Sequence, residues 1–157
     1  MKIKLLAIGK TDNKQLILLI DEYQKRLKHY IKFEIEIILD IKNVKHLSEQ
    51  QQKEKEGALL LSKLQNTDEL VLLDDKGKEF TSIEFSKYLQ KKMNSGIKQL
   101  VLVIGGPYGF SDAIYKKAKG KISLSKMTFS HQMIRLFIVE QLYRGFTILK
   151  NEPYHHE

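Results

Sequence analysis

The chain has 157 residues and no cysteine, so it is long enough for one domain with a buried core and cannot form disulfides or cysteine-ligated metal sites. Its 27 lysine and arginine residues exceed its 19 acidic residues, and the net charge of +8 favours an anionic partner such as a nucleic acid but also fits a solvated, lysine-rich surface. No apolar run is long enough for a signal peptide or a membrane span, so we expect a cytoplasmic protein that does not enter a membrane.

Apolar runs of strand length alternate with stretches of helical spacing from the start of the chain. Residues 3–8 predict a strand that closes at Gly9, and Asp12 or Asn13 can cap the helix that follows. Residues 33–39 then alternate apolar and acidic side chains, which is typical of a strand with one face in water near a sheet edge.

The middle of the chain repeats this alternation. Ser48 opens a polar helix that we expect to reach Leu64, with residues 53–56 on its solvated side. Residues 69–73 predict a buried strand that ends in a turn at residues 74–77.

Another helix and two more strands complete the pattern before the last helix. The helix is capped by Thr81 or Ser82, residues 100–104 predict a fully buried strand, and residues 121–124 predict a short one after a segment at residues 111–118. Strands joined by helices indicate an α/β fold: a mostly parallel sheet with helices on both faces, formed by the whole chain as one domain.

The last predicted helix, residues 132–149, is apolar around nearly its whole circumference. Such a helix has to be buried on all sides, and little chain remains to cover its outer face. We therefore expect a homodimer through this helix. Glu140 and Arg144 lie one turn apart on it, where they form either a structural ion pair or a contact to substrate.

Two loops that follow neighbouring strands point to a ligand site. Gly105, Gly106 and Gly109 follow one strand and allow close backbone approach to a ligand, although a plain turn explains their spacing as well. The polar residues 125–131 follow the other, where helix caps explain several of them, His131 included. Because ligands of parallel sheets bind at the carboxyl ends of strands, the sequence predicts a cofactor site here.

The C-terminal segment carries Tyr154, His155 and His156 outside every predicted element. An aromatic ring beside imidazoles suits stacking on a nucleobase and proton transfer near neutral pH, while a disordered end without a role is the alternative. No spacing typical of metal ligands occurs in the sequence, so we expect no metal site.

Several segments together resemble a known family: LVLVIGGPYGF at residues 100–110, ISLSKMTFSHQMIRLFIVEQLYRGFTI at residues 122–148, and NEPYHHE at residues 151–157. With the start MKIKLLAIGK and KEGALLL at residues 55–61, they are similar to the RlmH family of ribosomal large-subunit methyltransferases, which is of the SPOUT class. The resemblance implies an α/β fold with a C-terminal trefoil knot and a homodimer. It also implies that S-adenosylmethionine is used to methylate N3 of a pseudouridine in 23S rRNA of the assembled ribosome.

The resemblance also implies which residues form the site. Cofactor contacts are expected at a strand end, in the glycine turn and in the loop before the last helix, at Leu73, Gly105, Leu124, Ser125, Lys126, Met127, Thr128 and Phe129. His155 is the candidate proton acceptor for the base N–H, with Arg144 as its orienting partner. Tyr154 and Glu140 complete the candidate catalytic set.

Two positions depart from the family pattern, and two other functions remain open. Ser130 stands where a proline is expected, which we expect to loosen the loop, and His156 stands where arginine or lysine is expected, which makes the charge of the tail depend on pH.

The same basic charge and aromatic tail suit a non-catalytic RNA-binding protein. The glycine turn by itself suggests a nucleotide-binding oxidoreductase.

Overall fold

Five parallel strands form one sheet at the centre of the molecule, which the computed structural model describes over residues 1–156. The strands are β1 (Lys2–Ile8), β2 (Lys32–Ile38), β3 (Asp68–Glu79), β4 (Gln99–Ile104) and β5 (Gly120–Ser123). They lie in the order β2-β1-β4-β3-β5, and every neighbouring pair is parallel. The predicted α/β fold is confirmed, and so is the edge position of β2.

Five helices cover the two faces of the sheet. They are α1 (Lys14–Leu27), α2 (Glu49–Ser62), α3 (Ser82–Asn94), α4 (Asp112–Lys117) and α5 (Met133–Leu149). α5 packs between α1 and α3 on one face, and α2 packs with α4 on the other. Each face of the sheet has its own hydrophobic core, and β4 contributes to both. Leu100 and Leu102 lie in the core beneath α1, α3 and α5, and Val101 and Val103 lie in the core beneath α2 and α4.

The predicted helix caps are found at three helix starts. Asn13 accepts a hydrogen bond from the Leu16 backbone N–H at 3.0 Å. Ser48 and Thr81 each form a capping box, in which the cap hydroxyl and the third helical residue satisfy each other's backbone N–H. These caps fix where α1, α2 and α3 begin, and thereby how long the loops from the preceding strands are.

The prediction of a turn at residues 74–77 is wrong. β3 continues to Glu79, with a register shift against β5 after Leu73. Gly77 makes the continuation possible, because a Cβ there would lie 2.5 Å from the Ile122 backbone carbonyl carbon. The two strands therefore approach each other closely, directly beside the region where the predicted ligand loops meet.

The predicted end of α2 and the predicted exposure of Glu56 are both wrong, and the burial predicted for α5 can be compared with the structure. α2 ends at Ser62 rather than Leu64, and Glu56, expected on its solvated side, is 3% exposed. Every residue of α5 is buried or half-buried. Within residues 1–156, no helix has both the length and the apolar character that crossing a membrane requires.

Candidate functional site

A cavity of about 380 Å³ opens at the carboxyl edge of the sheet, where β4 and β5 end and β3 shifts register after Leu73. It is lined by residues 73–75 of β3, the glycine loop at residues 105–110 and the segment between β5 and α5. Among its walls are these predicted cofactor residues: Leu73, Gly105, Leu124, Ser125, Met127, Thr128 and Phe129. The structure thus brings together residues that the sequence separates by more than fifty positions.

Lys126 is the predicted cofactor residue that does not line the cavity. Its side chain is 87% exposed, and its Nζ lies 3.9 Å from Glu79 Oε2. An ion pair this exposed contributes little to stability. A contact between Lys126 and a ligand in the cavity would therefore come from its backbone.

The glycine loop leaves little room for a side chain at Gly105. A Cβ there would lie 3.0 Å from the Phe110 ring and 3.3 Å from the Gly109 carbonyl oxygen. Apolar side chains such as Ile104, Ile122 and Leu124 line the rest of the cavity. An apolar slot with free backbone groups at its rim suits a ligand with both an apolar body and a polar edge, and its volume lies in the range of about 300–1,000 Å³ typical of small-molecule sites.

The four predicted catalytic residues form a second cluster on α5 and the C-terminal segment. Glu140 Oε1 accepts hydrogen bonds from Arg144 Nε at 3.0 Å, from Arg144 Nη2 at 2.6 Å and from the Tyr154 hydroxyl at 3.0 Å. Arg144 Nη1 lies 3.4 Å from His155 Nδ1. Since a guanidinium only donates hydrogen bonds, His155 Nδ1 is the acceptor in this contact.

The C-terminal segment is docked, so the disordered alternative is wrong for residues 151–156; Glu157 lies outside the described residues. The Tyr154 ring packs edge-on against Tyr143 at 4.7 Å, and the Arg144 guanidinium lies 4.6 Å from its centre. The Tyr23 hydroxyl, 3.1 Å away, donates to that of Tyr154. Burial, the Tyr23 bond and the charge of Glu140 all raise the pKa of Tyr154, so it remains a protonated phenol at neutral pH.

The cluster and the cavity do not meet within one chain. Ile134, in the first turn of α5, lines the cavity, but none of the four cluster residues does. Arg144 follows Ile134 by ten residues, a distance of about 15 Å along a helix. The structure therefore assembles each predicted set of residues separately and leaves a gap between the two.

A family model described as a predicted SPOUT methyltransferase matches residues 1–155. Proteins named ribosomal RNA large subunit methyltransferase H from Flavobacterium johnsoniae and Flavobacterium psychrophilum are each 74% identical over 157 residues, which is the full length of both chains. The protein of that name from Parabacteroides distasonis is 68% identical, also over the full length of both. The chain belongs to the RlmH family of SPOUT methyltransferases.

In this SPOUT methyltransferase, α2 supports the glycine loop through a contact that sequence reasoning missed. A Cβ on Gly106 would lie 2.3 Å from Glu56 Oε2, and a Cβ on Gly57 would lie 2.2 Å from Ser111 Oγ. Glu56 of α2 thus packs against Gly106 of the loop, and Ser111, just after the loop, packs against Gly57 of α2. Glu56 lies one turn before the buried Leu60, and this spacing is the signal that could have placed it on the inner side of α2.

Glu56 is buried with incomplete hydrogen bonding. Its Oε1 accepts from Gln52 Nε2 at 2.8 Å, whereas Oε2 and the nearby Ser111 Oγ have no partner among the described residues. Burial raises the pKa of Glu56, the Gln52 bond opposes the rise and the charge of Asp40 adds to it. The carboxyl beneath the methyltransferase's glycine loop therefore favours its protonated form more than an ordinary glutamate does.

Two further side chains fix α5 relative to the sheet edge. Ser130 Oγ accepts from the Met133 backbone N–H at 3.2 Å, so Ser130 anchors the loop to the helix rather than loosening it. Arg135, 1% exposed, donates to the Ile8 carbonyl at 2.7 Å and to Thr11 Oγ1 at 2.8 Å. Both contacts hold the beginning of α5 at the edge where the cavity opens.

Proposed function

We propose that the protein transfers a methyl group from S-adenosylmethionine to N3 of a pseudouridine in 23S rRNA of the assembled ribosome, in the cytoplasm. The observation that carries the proposal is that all the predicted cofactor residues except Lys126 line one cavity at the carboxyl edge of the sheet. The full-length relatives named for large-subunit ribosomal RNA support this substrate, and so does the net charge of +8.

The cavity fits S-adenosylmethionine by its shape and lining. Leu73, Ile122 and Leu124 offer apolar surface for an adenine ring and a thioether chain, and the backbone of the glycine loop offers polar groups at the rim. The cofactor supplies a methyl group that its sulfonium already activates. The protein's own part is then to hold donor and acceptor in line and to exclude water.

The target N–H of the base has to lose its proton, and the cluster contains one group suited to accept it. Tyr154 remains a phenol, and Glu140 is occupied by the hydrogen bonds of Arg144 and Tyr154. His155 accepts the proton at Nδ1 when the base displaces the Arg144 contact. Glu140 and Tyr154 position Arg144 and the tail, so they are positioning residues.

Arg144 serves as the electrostatic partner of the base. Burial lowers the pKa of Arg144, but the hydrogen bond and charge of Glu140 outweigh that effect and raise it, so the guanidinium stays charged. A fixed positive charge beside His155 stabilises the negative charge that develops on the carbonyl oxygens of the base as its N–H is lost.

A homodimer closes the gap between the cluster and the cavity in this proposal. The outer side of α5, with Leu136 and Phe137 half-buried, and the 69% exposed Leu18 of α1 offer apolar surface to a second copy. The tail of one subunit then completes the cavity of its partner. The proposal includes the trefoil knot implied by the family, which holds the loop between β5 and α5 around the cofactor.

The proposal is tested by calorimetric titration with S-adenosylmethionine and NADH, followed by single-turnover methylation of ribosomes that lack the modification. We expect binding of S-adenosylmethionine alone and one methyl group per ribosome, which mass spectrometry of nucleosides would assign to N3 of pseudouridine. Binding to ribosomes without methyl transfer would contradict the proposal and favour the RNA-binding alternative. Binding of NADH alone would favour the oxidoreductase.

A further inference from the structure

A group of exposed lysines lies beside the mouth of the cavity and takes no part in the site described above. We define this lysine surface as the following residues on β3, α4, the α4–β5 connection and β5: Lys76, Lys116, Lys117, Lys119 and Lys121. All five are exposed, and among residues 1–156 none forms an ion pair. By contrast, Lys4, Lys63 and Lys92 on other surfaces are paired with glutamates.

Three of these lysines, Lys76, Lys119 and Lys121, line an open hollow of about 610 Å³ together with Tyr115, Ala118 and Gly120. Lys116 and Lys117 lie next to it at the end of α4. Tyr115 lines both this hollow and the cofactor cavity, so the two are immediate neighbours. The Tyr115 hydroxyl donates to Asp74 Oδ2 at 2.7 Å, and Lys121 Nζ lies 5.6 Å from the centre of its ring. The ring is thereby held as a fixed wall between hollow and cavity.

The acidic side chains of this region do not cancel its charge. Asp74 accepts hydrogen bonds from the Tyr115 hydroxyl and from the Lys76 backbone N–H and does not line the hollow. Asp75 and Asp112 are exposed and form no ion pair with a described residue. The lining of the hollow contains three lysines and no acidic side chain, so the hollow is positive.

We propose that the lysine surface binds backbone phosphates of the rRNA strand that flanks the target nucleotide, an inference that rests on the proposed function. Lysine ammonium groups bind phosphates as point charges on flexible stems and fix register without reading sequence. A strand held in the hollow passes Tyr115 and presents its next nucleotide to the cavity. The surface thus determines which nucleotide reaches the methyl donor by position rather than by base recognition.

The test compares two triple variants that each remove three positive charges. Lys76→Gln/Lys119→Gln/Lys121→Gln removes the three lysines that line the hollow, and Lys87→Gln/Lys91→Gln/Lys98→Gln is the matched control, with three exposed lysines on and after α3. Affinity for unmodified ribosomes and for protein-free 23S rRNA is measured between 50 and 200 mM salt, in the range where phosphate contacts weaken by orders of magnitude. Binding of S-adenosylmethionine is measured alongside.

We expect the first variant to bind both RNA targets at least ten-fold more weakly, with the slope of log affinity against log salt reduced by about 1 for each lysine that contacts a phosphate. The control should change less than two-fold, and cofactor affinity should stay the same in both. The charge-retaining variant Lys76→Arg/Lys119→Arg/Lys121→Arg should restore binding.

Equal losses in the two triple variants would overturn the proposal, because they would show a general effect of net charge. Weaker binding to ribosomes with unchanged binding to protein-free rRNA would overturn it too, and would identify an acidic protein face as the partner. If the unaltered protein transfers no methyl group to ribosomes, the proposed function fails, while the binding comparison still decides whether the lysine surface contacts RNA.

Discussion

Gly105 faces the cavity at a point where the loop itself leaves no room for a side chain. The Phe110 ring and the Gly109 carbonyl oxygen would both lie within 3.3 Å of a Cβ at this position. Its φ angle is not positive, so the backbone accepts an L-residue and the obstacle is one of space. A larger residue must therefore push into the cavity or displace the loop.

We expect Gly105→Val to weaken S-adenosylmethionine binding at least ten-fold, measured by calorimetry. Overpacking of this kind costs about 1–3 kcal/mol, so the protein should remain folded. Gly120→Val is the control, because no atom lies within 4 Å of a Cβ at Gly120 and it does not line the cavity. Unchanged cofactor affinity in Gly105→Val would contradict the assignment of this cavity as the S-adenosylmethionine site.

Glu56 links the stability of the glycine loop to pH. Its pKa is raised above the ordinary value of 4.5 by burial, so the folded state holds the proton more tightly than the unfolded state does. This contribution to stability is fully present below pH 4.5 and is lost as the pH rises through the folded-state pKa. Each unit of the rise corresponds to about 1.4 kcal/mol.

We therefore expect Glu56→Gln, which cannot ionise, to gain stability relative to the unaltered protein as the pH rises from 4.5 to 8. Urea unfolding at these two pH values measures the difference. Glu54→Gln, exposed on the same helix, should show no such trend. A constant difference between Glu56→Gln and the unaltered protein would show that folding does not raise the pKa of Glu56.

At the scale of elements, local patterns predicted most of the fold, and contacts between distant segments decided the rest. Caps such as Asn13, Ser48 and Thr81 lie within the segments they terminate, so the sequence reveals them. The continuation of β3 depends on Gly77 meeting β5, and the burial of Glu56 depends on Gly106. Neither contact follows from a local pattern, because each joins residues more than forty positions apart.

The C-terminal segment behaves as an element fixed to α5 by side chains. Tyr154 packs on Tyr143 and Arg144 and bonds to Glu140, and Tyr30 donates to Glu152. Deletion of residues 153–157 should therefore lower the Tm by several degrees, since about 1 kcal/mol shifts the Tm of such a protein by roughly 2–4 °C or slightly more. A disordered tail would leave the Tm nearly unchanged on deletion, and the contacts of the segment argue against that outcome.

His155→Ala separates the chemistry of the tail from its packing. We expect single-turnover methylation to slow by about 10²–10⁴-fold, the usual contribution of a general base, with the Tm and cofactor affinity nearly unchanged. His156→Ala, on an exposed neighbour, is the control. Full activity of His155→Ala would show that another group accepts the proton and that the tail has only a structural role.

At the scale of the whole molecule, α1 exposes three consecutive apolar side chains in the layer that it forms with α5. Leu18 is 69% exposed, with Ile17 and Leu19 beside it at 45% and 42%. Sedimentation at micromolar concentration should show a species of twice 18.3 kDa, and Leu18→Glu should shift it towards the monomer. Leu59→Glu, 40% exposed on α2 at the opposite face, should leave it unchanged. A monomer at these concentrations in the unaltered protein would contradict the dimer.

The separation between cluster and cavity makes a stronger test of how two subunits cooperate. Gly105→Val damages the cavity and leaves the tail intact, whereas His155→Ala damages the tail and leaves the cavity intact. Each variant alone should be nearly inactive in either arrangement. In a mixed dimer, however, the intact tail of one subunit meets the intact cavity of the other if the tail acts on its partner.

We expect equal amounts of the two variants, mixed and allowed to exchange subunits, to recover about a quarter of the unaltered activity. This follows because half of the dimers are then mixed and each mixed dimer holds one complete site out of two. If each tail instead served the cavity of its own chain, every subunit would carry one damaged half and mixing would restore nothing. Single-turnover methylation of ribosomes before and after exchange distinguishes the two, with the separate variants at the same total concentration as the baseline. Recovery near a quarter would place the Arg144–His155 cluster of each subunit at the cavity of its partner, since the cluster does not line the cavity of its own chain.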